Sequence, residues 1–166
     1  MVSKERYRDS WSKGKITEEL FVLSCKSIGY TTVKTPSNVD IYKHIDFYIT
    51  RPDGTKTSVD VKGGNNPNLI WIEFKNVHGN LGWMYGEAEF IAFEMKELGG
   101  FCMVDRKELL DVCKNIIEPV FTDKYNCYLK LYQRANRKDV LSKIYLSDIQ
   151  NCKSYNLIKY DDTGED

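Results

Sequence analysis

The sequence has no apolar run that approaches the roughly 18 residues needed to span a membrane. Its first 15 residues are polar and mixed in charge, so we expect no secretory signal there and no membrane partner. With 166 residues, of which 42% are hydrophobic and 29% charged, the chain is expected to form a single domain, 1–166. Its core is expected at about residues 15–115 and a C-terminal extension at residues 119–166.

Cysteine pairs with metal-binding spacing are also missing. The sequence has five cysteines, an odd number, and no C-x-x-C pair. A zinc site or a disulfide framework is therefore not expected. Reduced thiols, most of them packed as small core hydrophobes, fit a cytoplasmic protein.

There is no excess of either charge, because 24 basic residues balance 24 acidic residues. Nucleic-acid-binding proteins usually show a basic excess. Neutrality does not exclude such a partner, since acids gathered in a metal site cancel basic residues elsewhere. Basic residues do cluster at 4–8 and 134–138. The second cluster is either a phosphate-contacting patch or a solvated helix face.

The pattern of apolar residues predicts helices and strands in a mixed order. A helix is expected at 16–28, ending at Gly29, and a second one from 106 to about 116, capped by Asp105. Turn chemistry at 51–54 predicts a β-hairpin. The strands are expected at 30–33, 44–50, 57–62, 69–75, 89–94 and 101–104, with loops at 36–38 and 63–68, short strands or turns beyond 118, and a frayed acidic tail at 161–166. This order indicates an α/β (α+β) domain with a mixed central sheet flanked by helices.

Three residues of the hairpin carry the chemistry. Asp60 and Lys62 share one face of their strand because side chains alternate, and a glycine-rich loop follows them. Asp46 lies on the partner strand among apolar residues, where an uncompensated carboxylate is costly. Two converging carboxylates repel each other, and a hard divalent cation such as Mg²⁺ or Mn²⁺ relieves that repulsion. The alternative is that Asp60 and Lys62 face solvent and Asp46 pairs with a nearby base such as Lys43.

These residues resemble the pattern of the PD-(D/E)xK nuclease superfamily, which includes restriction endonucleases and Holliday junction resolvases. The pattern is a helical acid, a strand Asp and (D/E)-x-K; here it is Glu18, Asp46 and Asp60-Val61-Lys62, within residues 15 to 115. Ile45 stands where the motif often has proline. The resemblance implies a restriction-endonuclease-like core and a Mg²⁺-dependent endodeoxyribonuclease that hydrolyses phosphodiester bonds in DNA. It further implies that Glu18, Asp46 and Asp60 bind one or two metal ions, that Lys62 is catalytic, and that a homodimer could cut two strands.

Several alternatives stay open at this stage. Glu19 competes with Glu18 as the helical acid, although Glu18 falls on the apolar side of the helix. Glu73 begins a second E-x-K and lies either near the site or in solvent. The chain could be an inactive nuclease-fold protein that binds nucleic acid or a protein. It could also be a small regulatory protein of viral or phage origin that acts in the host cell.

Other motifs are weaker. Pro52-Asp53 spells the literal PD, but it lies in the hairpin turn, where an Asp before Gly needs no function. His78 is expected to be a loop residue and His44 a surface residue, and no HNH site is expected. A separate set of aromatic and basic residues either contacts nucleic acid or packs in the core: Trp71, Trp83, Tyr85, Arg106 and Lys107.

Overall fold

The structure is a computed structural model that describes residues 4–64 and 68–160, with side chains described from residue 13 onward. The side chains of the basic cluster at 4–8, part of the loop expected at 63–68, and the expected acidic tail at 161–166 lie outside the described residues. In the part that is described, no helix combines the length and the apolar character of a membrane span.

The described residues form three helices and ten strands. The helices are α1 (Lys4–Ser27), α2 (Ser37–Lys43) and α3 (Arg106–Ile116). The strands are β1 (Thr31–Lys34), β2 (Phe47–Thr50), β3 (Lys56–Lys62), β4 (Leu69–Lys75), β5 (Phe90–Met95), β6 (Gly100–Asp105), β7 (Phe121–Thr122), β8 (Leu131–Tyr132), β9 (Val140–Tyr145) and β10 (Asn156–Lys159). The predicted α/β (α+β) class with a mixed sheet flanked by helices is confirmed.

The central sheet has six strands in the order β1-β2-β3-β5-β6-β10. β3 and β5 run parallel, and the other neighbours are antiparallel. α1 covers one face, where Phe21 and Cys25 pack against Val59 and Val61. α3 covers the other face through Leu109 and Cys113. Burial of these two apolar faces is the main contribution to the stability of the fold.

A second, four-stranded sheet has the order β4-β9-β8-β7. The hairpin and β4 were each predicted, but β4 pairs with β9 and not with a strand of the central sheet. Because β5 runs parallel to β3, the chain needs a crossover between them, and β4 lies within that crossover. Ile70 and Ile72 of β4 point into the core shared with α3, which fastens the second sheet to the first.

The residues after 119 are built into both sheets. β10 pairs with β6 at the edge of the central sheet, and β9 pairs with β4. Residues 134–138 form a turn between β8 and β9, so the alternative of a solvated helix face for this basic cluster was wrong.

The predicted helix ends are confirmed at two places, and one helix was missed. α1 ends before Gly29, which has a φ of 82°, and the Asp105 side chain caps α3 by accepting from the Glu108 N–H at 2.9 Å. The loop expected at 36–38 is instead the start of α2. Pro36 stands at its N-cap with a φ of −60°, and its carbonyl accepts from Val39 and Asp40.

Candidate metal centre

Asp46 lies at an irregularity between β2 and β3. Its N–H donates to the Val59 carbonyl at 2.8 Å, while Phe47 is the register partner of Val59. Two residues therefore oppose one, which is the arrangement of a β-bulge. The bulge breaks the side-chain alternation, so that Ile45 packs in the α3-side core and Phe47 in the α1-side core. A bulge of this kind re-aims the side chain of Asp46 away from the ordinary strand direction.

The Asp46 carboxylate is held by the backbone of β3. Its Oδ2 accepts a hydrogen bond of 2.7 Å from the Val61 N–H, which places the carboxylate beside Asp60 and Lys62. Asp46 is 5% exposed and Asp60 only 2%. Oδ2 of Asp60 has no hydrogen-bond partner among the described residues. An unpartnered buried carboxylate oxygen is costly, and a bound cation or water molecule would satisfy it.

Lys62 stands over the other side of Asp60. Its Nζ lies 3.3 Å from Asp60 Oδ1 and 5.3 Å from the centroid of the Trp83 ring. Both contacts fix the direction of a long and otherwise flexible side chain. The ammonium group is therefore held next to the carboxylates and not dispersed in solvent.

Two further acids reach the same place from helices. One carboxylate oxygen each of Glu18 in α1, Asp40 in α2 and Asp46 lie within 4.8 Å of one another. Gly63 lets α1 approach this end of β3, because a Cβ there would lie 3.2 Å from the Thr17 hydroxyl. We call Glu18, Asp40, Asp46 and Asp60, with their lysines Lys34 and Lys62, the acidic centre.

Lys34 of β1 sits among three of these acids. Its Nζ lies 3.2 Å from Glu18, 3.7 Å from Asp46 and 3.8 Å from Asp40. Although partial burial lowers the pKa of Lys34, the Asp46 and Glu18 carboxylates raise it above its usual value. Lys34 is thus a charged ammonium in the structure, and it offsets part of the negative charge.

The acidic centre carries an excess of negative charge. Its four carboxylates face two ammonium groups, which leaves a formal charge of −2. Burial, and next the Asp60 carboxylate, raise the pKa of Asp46 to about 6. Burial also raises the pKa values of Asp40 and Asp60. Without a further cation, the centre therefore holds protons more tightly than isolated carboxyl groups do.

The structure brings together the four residues on which the sequence analysis concentrated: Glu18, Asp46, Asp60 and Lys62. Glu19 is exposed, outside the centre. Lys34, and not Lys43, pairs with Asp46. Glu73 belongs to the second sheet. The pKa of His44 is lowered, mainly by burial and next by the Lys62 ammonium, whereas the Glu73 carboxylate acts to raise it. Glu73 and His44 therefore lie at the margin of the acidic centre.

The remaining candidate residues lie outside the acidic centre. Asp53 accepts from the N–H and the hydroxyl of Thr55, as expected of a turn residue. Arg106 donates to the carbonyls of Ala88 and Met84, and Trp83 is 6% exposed in the core. Tyr85 and Lys107 are exposed, and His78 lies in a turn between strands, as predicted.

Sequence reasoning missed Asp40 and Lys34. Asp40 lies in α2, the short helix that was predicted to be a loop. Lys34 is the last residue of β1, and side-chain alternation alone places it at the surface. The start of α2 carries only a weak local signal, because Pro36 stands at the N-cap, Ser37 follows it and no side chain caps the helix. No local signal points to Lys34, because its partners come from three different elements.

No match emerges when the chain is compared with protein-family models, with curated proteins or with solved structures.

Proposed function

We propose that this protein is a divalent-metal-dependent endonuclease that hydrolyses phosphodiester bonds in DNA. The observation that carries the proposal is the buried pair Asp46 and Asp60, with an unpartnered Asp60 oxygen inside a centre of formal charge −2. A single divalent cation supplies the missing charge. The resemblance of Glu18, Asp46 and Asp60-Val61-Lys62 to the PD-(D/E)xK pattern supports the same activity.

The donor set fits Mg²⁺ or Mn²⁺. Both ions prefer carboxylate oxygens, and the centre offers these and no thiol. Asp46, Asp60 and Glu18 would hold the ion, with Asp40 as a fourth acid. When bound, such an ion lowers the pKa of a water molecule and offsets charge on a phosphate.

The chain's own residues supply the remaining chemistry. The Val61 N–H holds the Asp46 carboxylate in place, so little reorganisation is needed on binding. Lys62, fixed by Asp60 and Trp83, can hold its ammonium against a phosphate oxygen on which negative charge develops. It could instead orient a water molecule by hydrogen bonding. Asp60 thus has two roles, as an oxygen ligand and as the group that positions Lys62.

The direct test is cleavage of labelled DNA duplexes, flaps, junctions and single strands with Mg²⁺ or with EDTA. We expect cutting only with the metal ion. Glu18→Gln should lower the rate by about a hundredfold, as expected for loss of one electrostatic group at a reaction centre. Glu19→Gln, one residue away on the exposed side of α1, is the matched control and should cut normally. Metal-independent cutting, or equal cutting by both variants, would contradict the proposal.

A second candidate is an inactive nuclease-fold protein that binds nucleic acid or a protein partner. The position of Lys34 favours it, because an ammonium already lies within 3.8 Å of three acids. Lys34→Ala separates the two. In a metal centre, removal of this competing cation should tighten Mn²⁺ binding in calorimetry. In a structural ion-pair network, the variant should lose stability and bind no Mn²⁺.

The proposal includes a cytoplasmic site of action, in the host cell if the origin is viral. All five cysteines are unpaired, as they would be in a reducing compartment. A homodimer that cuts two strands is also part of the proposal, and light scattering after size exclusion would test it.

A further inference from the structure

A cleft opens beside the acidic centre and continues across the second sheet. It has a volume of about 490 Å³ and is lined in part by Lys62, Trp83 and Gly64 from the central-sheet side, and by Trp71 and Lys143 from the second sheet. A smaller hollow of about 290 Å³ adjoins it and shares Trp71 and Lys124 with it. The cleft and the hollow are neighbours across Trp71 and Lys124, and we call the two together the groove; its cleft is lined by Lys62, the lysine bound to Asp60.

Basic side chains follow this groove. Lys62, Lys124 and Lys143 line the cleft, and Arg134 lines the hollow, but Lys62 pairs with Asp60 and Arg134 pairs with the buried Asp139. Among the described residues, no carboxylate lies within 4.0 Å of the Nζ of Lys124 or Lys143. Lys124 and Lys143 therefore give the groove positive charge without an ion-pair partner, and this charge suits an anionic polymer.

One acid, Glu94, lines the described part of the cleft. Its side chain is only 3% exposed, and the Lys96 ammonium lies 4.0 Å away. Its Oε2 has no hydrogen-bond partner among the described residues, so this buried carboxylate offsets part of the positive charge of the cleft. Lys124, which is exposed, and Lys143 remain the basic residues of the groove without an ion pair.

Aromatic side chains alternate with the basic ones. The Lys143 ammonium lies 5.3 Å from the centroid of the Trp71 ring, and Trp71 packs at 6.2 Å against Tyr132 in the hollow. Tyr125 at the rim is 88% exposed. An aromatic ring this exposed contributes little to the core, but it offers a flat face for stacking. Cations for phosphates, interleaved with rings for bases, are the surface of a single-strand-binding groove.

We propose that this groove binds single-stranded DNA and leads it to the acidic centre. Bases in a duplex are stacked on one another and present only their edges, so the rings of Trp71 and Tyr125 have nothing to stack on there. An unpaired strand presents a base face and a phosphate at every step. The inference names the substrate class of the proposed nuclease as DNA with an unpaired segment. It rests on the proposed function only for the claim that the bound strand is delivered to the acidic centre for cleavage.

The test is fluorescence anisotropy with a labelled thymidine oligonucleotide of about 15 nucleotides, near the upper range of a single-strand site, in EDTA. We expect Tyr125→Ala to weaken binding about tenfold, the loss of one base-stacking contact. Tyr42→Ala is the matched control, because Tyr42 is 82% exposed on α2, outside the groove. It should bind as the unchanged protein does.

The lysines are tested through the salt dependence of binding. Lys124→Ala with Lys143→Ala should reduce the slope of log affinity against log salt by about 0.7 per lysine, the value for phosphate contacts on single strands. Lys56→Ala, an exposed lysine at the far end of β3, should leave the slope unchanged.

The outcomes separate the two proposals. Equal affinity for a duplex of the same length would contradict the proposal that the groove binds single-stranded DNA. An absence of any effect of Tyr125→Ala and of the double lysine variant would contradict it as well. Such a result leaves metal-dependent cleavage standing. Tight, groove-dependent binding in EDTA without any cleavage in Mg²⁺ would overturn the nuclease and retain the groove as a binding site.

Discussion

At the scale of single residues, the acidic centre opposes folding. Asp46 and Asp60 lose their hydration on burial, and one Asp60 oxygen gains no partner in return. An uncompensated buried carboxylate normally costs several kcal/mol. Residues that serve a site commonly reduce stability in this way. Activity and stability should therefore change in opposite directions when the charge of Asp60 is removed.

Asp60→Asn tests this opposition. The amide has nearly the same shape but no charge, so we expect the metal-free protein to become more stable by about 1 kcal/mol or more at neutral pH. DNA cleavage should fall by at least about a hundredfold. Urea unfolding in EDTA and a cleavage assay measure the two effects. Asp111→Asn, at an exposed position of α3, is the control and should change neither.

The pKa of Asp46 gives stability a definite pH dependence. Its value of about 6 in the folded protein lies above the ordinary 3.8, so the folded state binds the proton more tightly than the unfolded state. The resulting stabilisation is complete below the ordinary value and is lost as pH rises through about 6. The raised pKa values of Asp40 and Asp60 act in the same direction.

We therefore expect the metal-free protein to lose about 2 kcal/mol of stability, relative to Asp46→Asn, between about pH 4.5 and about pH 7.5. The comparison with the variant cancels the titrating groups that are distant from Asp46, so the difference reports Asp46 together with the groups coupled to it, Asp40, Asp60 and Lys34. Asn can still accept the Val61 N–H, so the hydrogen bond at β3 is kept. A constant difference in unfolding free energy across this range would show that Asp46 titrates as an ordinary carboxyl group.

At the scale of elements, the sequence predicted what local patterns determine. The ends of α1 and α3 and the hairpin follow from Gly29, Asp105 and the turn at 51–54, all of which act within a few residues. Alternation also predicted β4, but it could not say which sheet β4 joins. That choice depends on β9, about 70 residues away in the chain, and non-local pairing leaves no local signal.

The bulge at Asp46 was not predicted either, because it too depends on how two strands pair. Regular alternation places Ile45 on the face of Phe47, whereas the two side chains enter different cores. An inserted residue shifts every position beyond it to the other face of the sheet. Asp46 stands out in the sequence because its neighbours are apolar, but only the pairing of β2 with β3 shows how its carboxylate reaches Val61 and Asp60.

The pairing of β10 with β6 gives a prediction at this scale. A Cβ at Gly100 would overlap the Ile158 carbonyl and the Lys159 backbone of β10. Gly100→Ala should therefore cost roughly 1–3 kcal/mol and lower Tm by several degrees. Gly14 in α1 has nothing within 4 Å of an added Cβ. Gly14→Ala should instead raise stability by about 0.5–1 kcal/mol. Equal thermal shifts for both variants would contradict the observed packing of β10.

At the scale of the whole molecule, zero net charge conceals a separation of charge. Four acids converge at one end of the central sheet: one each from α1, α2 and β3, and Asp46, which directly precedes β2. Lysines line the groove over the second sheet. The sequence predicted three of the acids because they carry a family-like spacing. It could not predict the groove, since Trp71, Lys124 and Lys143 are brought together only by the pairing of distant strands.

Metal binding should therefore act on the stability of the entire fold. A ligand that binds only the folded state at about a hundred times its Kd adds about 2.7 kcal/mol. For a protein of this size, this corresponds to a rise in Tm of roughly 5–10 °C. We expect Mn²⁺ to produce this rise at neutral pH and EDTA to reverse it. At about pH 5 the rise should be much smaller, because protons held by Asp46 compete with the ion.

Two glutamates of α1 make the measurement specific. Glu18 lies in the acidic centre, whereas Glu19 is exposed on the same turn of the helix. Glu18→Gln should reduce the Mn²⁺-induced rise, and Glu19→Gln should retain it, although both variants lose the same charge from the same helix. A rise that is equal in the two variants would mean that the ion binds elsewhere on the surface. The ion would then not be held by the four elements that meet at the acidic centre, and their convergence would be structural only.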